Sequence, residues 1–135
     1  MNPIFIEVMT SKFPNQFTTE FGNDHLFLVF PAKNPDFGDV DICEDYPGAY
    51  IVTLGKFTHG HFDVYDGSDD EKAKEAAEEV VDFLENLFAD RIVCFGAHET
   101  GGGYCFNNSN DIDECANKWG DLFVWSGFFK KAESA

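Results

Sequence analysis

The stretch that most constrains the fold runs from Phe57 to His98, FTHGHFDVYDGSDDEKAKEAAEEVVDFLENLFADRIVCFGAH. It reads as strand, turn, long helix and strand. Ser68 is a suitable N-cap and Glu71 follows three residues later, so each side chain can satisfy a backbone N–H of the first turn. Asp69 and Asp70 add negative charge where the helix dipole favours it. Ala73, Ala76, Ala77, Val80, Val81, Leu84, Leu87 and Phe88 recur at the three-to-four spacing of a single buried stripe. The spacing predicts a helix over about 68–89, whose ~20 residues at ~1.5 Å each make a rod of roughly 30 Å, enough to cross one face of a small sheet. Glu75, Glu78, Glu79, Asp82 and Glu85 occupy the opposite side, relieved only by Lys72 and Lys74. Such a run reads as a solvated face.

The chain has 135 residues, the length of a single domain, which buries about two-thirds of its unfolded surface. Phenylalanine is over-used, with 16 copies against 4 Tyr and 2 Trp, which predicts a Phe-rich core. The formal charge of −16 argues against nucleic acid as a direct ligand and against anionic membranes, because both require a basic surface. It permits a basic protein partner, cations, or simple solubility. The opening MNPIFIEVMT has no basic region followed by an uninterrupted apolar run, so it does not read as a secretory signal. No run reaches the length of a membrane-spanning helix. Cys43, Cys94, Cys105 and Cys115 form no C-x-x-C pair, and they read as free thiols of a cytoplasmic protein rather than as two disulfides of an exported one.

Taken in order, residues 4–9 (IFIEVM) form a short β-rich run, and 25–30 (HLFLVF) reads as a strand buried on both sides or a central strand. Residues 40–43 alternate with Asp39, Asp41 and Glu44, predicting an acidic wet face, and the turn Asp45-Tyr46-Pro47-Gly48 leads to a returning strand over 49–54. In 57–65 the alternation sets Phe57, His59, His61, Asp63 and Tyr65 on one face. Beyond the helix come an apolar strand over 92–95, a flexible loop over 96–103, and a return over 104–106. A short helix over about 111–118, a last strand over 122–125 and a polar tail from about 130 complete the chain. These elements predict a single α+β domain: a mainly antiparallel sheet with the long helix packed across one face. The strands flanking that helix are far enough apart in sequence to form a parallel, right-handed β-α-β unit.

His59-x-His61 is the sharpest chemical feature. Two histidines at i and i+2 on a strand project together, Asp63 continues the row, and His98-Glu99 can add ligands from the next loop. The metal reading is a mononuclear zinc, iron or manganese site on His59, His61, Asp63 and His98. The bland alternative is a row of exposed polar side chains on a half-wet strand. The spacing is similar to the opening of the cupin motif, but Gly55 lies too close to His59, Asp66 would have to replace its glutamate, and a long central helix does not suit a jelly roll. Gly101-Gly102-Gly103 lacks the Lys-Ser/Thr of a phosphate-binding loop and reads as a turn. Cys94, Cys105 and Ser126 are the candidate nucleophiles, and none sits in a hydrolase elbow. The aromatic run from Trp119 to Phe129 reads mostly as core, with Trp119, Phe128 or Phe129 a candidate interface anchor if exposed and the acidic hairpin residues Asp39, Asp41, Glu44 and Asp45 its rim.

The segment GHFDVYDG…FLENLFADRIVCFG, with the glycine cluster and Trp125-Ser126-Gly127 that follow, resembles a small bacterial domain family with no assigned activity. That resemblance implies no chemistry. In size and charge the chain is also similar to small acidic bacterial immunity and inhibitor proteins. The leading expectation is a non-enzymatic protein that binds a basic partner through an acidic surface. The rivals are a metal-binding protein or metal-dependent enzyme, with a divalent transition metal as its cofactor, and a mimic of DNA.

Overall fold

The structure, a computed structural model, describes residues 1–130; the last part of the expected polar tail, 131–135, lies outside the described residues. The described elements are α1 (Pro3–Lys12), β1 (Thr18–Gly22), β2 (His25–Phe30), β3 (Val40–Tyr46), β4 (Ala49–Leu54), β5 (Thr58–Asp63), α2 (Asp69–Phe88), β6 (Ile92–Ala97), β7 (Gly101–Phe106), α3 (Ile112–Trp119), β8 (Leu122–Val124) and β9 (Gly127–Lys130). The fold is α+β, with two antiparallel sheets ordered β1-β2-β3-β4-β5 and β7-β6-β8-β9. The chain weaves between two compact units. One gathers Met1–Pro31, Val40–Thr53 and Gly60–Leu84; the other gathers Ala32–Asp39, Leu54–His59 and the described chain from Glu85 to Lys130.

In the first unit, Asn23 and Asp24 both adopt left-handed φ, 49° and 65°, which is what a two-residue hairpin turn between β1 and β2 requires. Leu28 pairs with Ile42 and Phe30 with Val40, and with Tyr50 and Val52 these fully or almost fully buried side chains form the sheet's inner face. Two helices cover that face. The α2 stripe is buried from Ala73 through Leu84, and Phe83 meets the ring of Phe62 with centroids 5.2 Å apart. The expected capping box is present: Ser68 N–H donates to Glu71 Oε1 and Glu71 N–H to Ser68 Oγ, each at 3.2 Å. These bonds favour the ionised carboxylate and hold Glu71 below its usual range. Ser68→Ala is expected to cost about 1 kcal/mol, read as a lower urea midpoint with an unchanged slope.

The second helix corrects an expectation. Residues 4–9 are helical, not extended. Pro3 stands in the first turn, Asn2 Oδ1 accepts from the Ile4 N–H at 2.9 Å, and Phe5 and Met9, four apart, are both fully buried. Phe5 stacks on Tyr50 with centroids 3.9 Å apart and planes within 8°. Docking of this face outweighs the β preference of the two isoleucines.

The second unit takes up much of the phenylalanine. Phe37 packs against Phe57 and Trp125, Phe57 against Phe123, and Phe88 against Trp125, all with centroids 5.0–5.5 Å apart. Val93, Phe95, Ala116, Leu122 and Val124 form a further cluster, capped by Cys105, Ile112, Cys115 and Trp119. The glycine run is part of β7, not a loop: Gly101 to Gly103 pair with Ala97 to Phe95, leaving a turn of three residues, His98–Thr100. The parallel β-α-β unit is not formed, because β5 and β6 lie in different sheets. Both edges of β6 are taken by antiparallel neighbours, β7 and β8, brought in by nearby chain.

Candidate functional site

The five-stranded sheet has a second face, turned away from α1 and α2. The register places Phe27 beside Cys43, Val29 beside Asp41 and Glu20 beside Phe27, all on the side opposite Leu28 and Ile42. In β4, Tyr50 lies on the helix side, so alternation gives Ile51 and Thr53 to the outer face. In β5, Phe62 meets α2, so His61 and Asp63 point outward. Phe27, Cys43 and Ile51 are half-buried there and Val29 is buried. Around this apolar strip stand Glu20, Asp41, Asp45 and Asp63. No Lys or Arg occurs in any of the five strands. Near β1 the face deepens into a cleft of about 250 Å³ lined by Glu20, Phe21, Gly22, Phe27, Val29 and Asp41. Phe21 is 83% exposed beside it. Burial, with the charges of Asp41 and Asp45, pushes the Cys43 thiol up, so it stays protonated and is a poor nucleophile.

No protein-family model, curated protein or solved structure matches the chain. No helix among the described residues is long and apolar enough to cross a membrane.

The structure divides the expected partner-binding residues. Asp41 and Asp45 share the outer face. Glu44 lies on the helix side, where Oε2 accepts from Tyr50 Oη at 2.6 Å and from the Asn2 N–H at 3.0 Å. Asp39 belongs to the other unit and accepts from the Ala32 N–H at 2.7 Å. Trp119 also belongs there, half-buried against Phe95 at 5.7 Å with Lys118 Nζ 5.2 Å from its ring centroid.

Of the expected metal row, His59 and His98 do meet: their rings stack with centroids 5.5 Å apart and planes within 7°. Asp63 accepts from Tyr65 Oη at 3.3 Å. Among the described residues no group of three His, Cys, Asp or Glu is placed to hold a metal ion, and two imidazoles fall short of the three protein ligands of a catalytic zinc centre. The candidate nucleophiles have structural surroundings. Burial pushes the Cys94 thiol up, and burial with the neighbouring Cys115 raises Cys105 to about 11. Ser126 donates from N–H and Oγ to the Asp90 carboxylate, tying the β8–β9 turn to the end of α2.

Tyr50 gives a pH test. Burial, then the hydrogen bond to Glu44 and its charge, push the phenol well above its ordinary value of 10.0. A group raised in the folded state contributes stability that is full below its unfolded value and lost as pH climbs toward the folded one. Cys94 and Cys105 follow the same sign from their ordinary value of 9.0. Stability is therefore expected to fall from about pH 9 upward. Tyr50→Phe should cost about 2 kcal/mol at pH 7 and make the decline above about pH 10 shallower, both read from urea midpoints across pH.

Sequence reasoning missed Glu20, Phe21, Phe27, Val29 and Ile51 as site residues. The signal that could have found β1 was Asn23-Asp24 between two short extended runs. In HLFLVF both faces are apolar, so the pattern gave no sign of which one remains open.

Proposed function

We propose that this chain is a small, acidic, non-enzymatic protein-binding protein, of the inhibitor or immunity kind, which receives a basic partner on the outer face of its five-stranded sheet. The observation that supports this is the apolar strip of half-buried Phe27, Cys43 and Ile51, with the buried Val29 among them, ringed by Glu20, Asp41, Asp45 and Asp63, on strands with no fixed cation. Apolar groups on the partner supply the contact area; the carboxylates select cations and speed encounter. The outer side of α2 is also acidic, with Glu75, Glu78, Glu79, Asp82 and Glu85, all exposed, but it offers no comparable apolar strip. It therefore attracts cations without giving a partner a place to bury surface.

The test is titration of isotope-labelled protein with the acetylated, amidated heptapeptide Thr-Lys-Thr-Phe-Thr-Lys-Thr, followed by amide shifts. Perturbations should centre on Phe27, Val29, Asp41 and Ile51, and affinity should fall as salt rises. Asp41→Lys with Asp45→Lys should weaken binding about tenfold or more, whereas Glu78→Lys with Glu79→Lys should change it little. Shifts confined to the outer side of α2, or no saturable binding, would refute the proposal.

A further inference from the structure

The first sheet ends at β1, and that edge is unusually undefended. An edge strand presents unpaired N–H and C=O groups, which proteins blunt with Pro, Lys, bulges or covering elements. β1 reads TTEFG, with four of its five residues exposed and a single charge, Glu20. Its register with β2 runs unbroken from Thr18 opposite Val29 to Gly22 opposite His25. The cleft of about 250 Å³ adjoins this edge, with Phe27 and Val29 among its apolar walls and the carboxylates of Glu20 and Asp41 beside them. Gly22 forms the gap in the wall. It continues the Thr18–Glu20 row on the outer face, and without a side chain it leaves an open path from the β1 edge to the ring of Phe27.

We propose that the partner presents an extended segment that pairs with the free edge of β1, passes a large apolar side chain over Gly22 into the cleft, and sets a Lys or Arg side chain of the same row against Glu20. This rests on the basic partner of the preceding section and names how it is held. Main-chain pairing supplies affinity and the alternate side chains supply specificity, as in other strand additions. A second copy of this chain is the rival occupant of any free edge. Here two molecules of charge −16 would meet at a rim that is itself acidic, which disfavours that pairing and favours a cationic strand.

Two changes test the pairing separately from the face. In the same heptapeptide, N-methyl groups are placed either on the alternate amides that face β1 or on the set that faces away. Methylation of one set should weaken binding about tenfold or more while the other set is tolerated, since only one row can donate to β1. In the protein, Gly22→Val closes the path. A Cβ at Gly22 meets Phe27 Cε2 at an ordinary 3.7 Å and needs no left-handed φ, so a β-branched side chain can enter this exposed strand. With the urea midpoint of the variant measured alongside, binding should drop about tenfold or more while the fold is retained. Equal binding of both methylated peptides, still centred on Phe27 and Asp41 and unaffected by Gly22→Val, would overturn the strand addition and leave the proposed function standing. Absence of binding by the parent peptide would overturn both. A peptide-free dimer in light scattering, with the β1 amides protected from exchange, would assign the edge to a second copy and overturn the proposal.

Discussion

Phe5→Ala is expected to lower the stability of this protein by about 3–5 kcal/mol, the range for removing a fully buried aromatic ring. Phe5 has no exposed surface, and its ring stacks nearly parallel on Tyr50 with centroids 3.9 Å apart. The substitution removes that contact and leaves a cavity between α1 and the sheet. Tyr50 carries the hydrogen bond to Glu44, and Glu44 accepts from the Asn2 N–H at the start of α1, so the loss spreads through a connected group. Against a total of about 5–15 kcal/mol for a domain, this brings the first unit close to its unfolding limit. Urea unfolding followed by near-ultraviolet circular dichroism gives the readout. A loss below about 1 kcal/mol would mean that α1 does not dock through Phe5.

Gly102→Ala should be similarly severe, at about 3 kcal/mol or more, for a different reason. Gly102 does not need a left-handed φ, so backbone strain plays no part. A methyl group there would stand 2.2 Å from the Phe57 carbonyl oxygen and 2.8 Å from that of Phe95. Both obstacles are backbone atoms held in packed segments, so neither can swing aside as a flexible side chain would. Gly22→Ala is the matched control: it is also a strand glycine with ordinary φ, and its added Cβ meets only a ring edge at 3.7 Å. It should shift stability by no more than about 0.5 kcal/mol. Equal effects at the two positions, measured by urea unfolding, would show that the close approach of β7 to Phe57 is not present.

What could be read from the linear chain was the part set by local physics. The α2 helix followed from its stripe and from Ser68 with Glu71, because both are satisfied within a few residues of themselves. The β3–β4 hairpin followed from Pro47-Gly48 and the flanking β-rich runs. The formal charge of −16 needed only counting. Tertiary structure decided the rest. Residues 4–9 became a helix because the face carrying Phe5 and Met9 is buried, with Phe5 stacked on Tyr50, which is far along the chain in β4. Gly101–Gly103 became strand by pairing with Ala97–Phe95, and at Gly102 the backbone lies closer to the Phe57 and Phe95 carbonyls than a side chain permits. The acidic residues of β3 were divided, Asp41 and Asp45 outward and Glu44 inward, by a period of two that places each side chain but does not say which side the helices will cover. The open face with its cleft exists only once five strands are in register, since Glu20, Phe27 and Asp41 are scattered in sequence and meet only through long-range pairing.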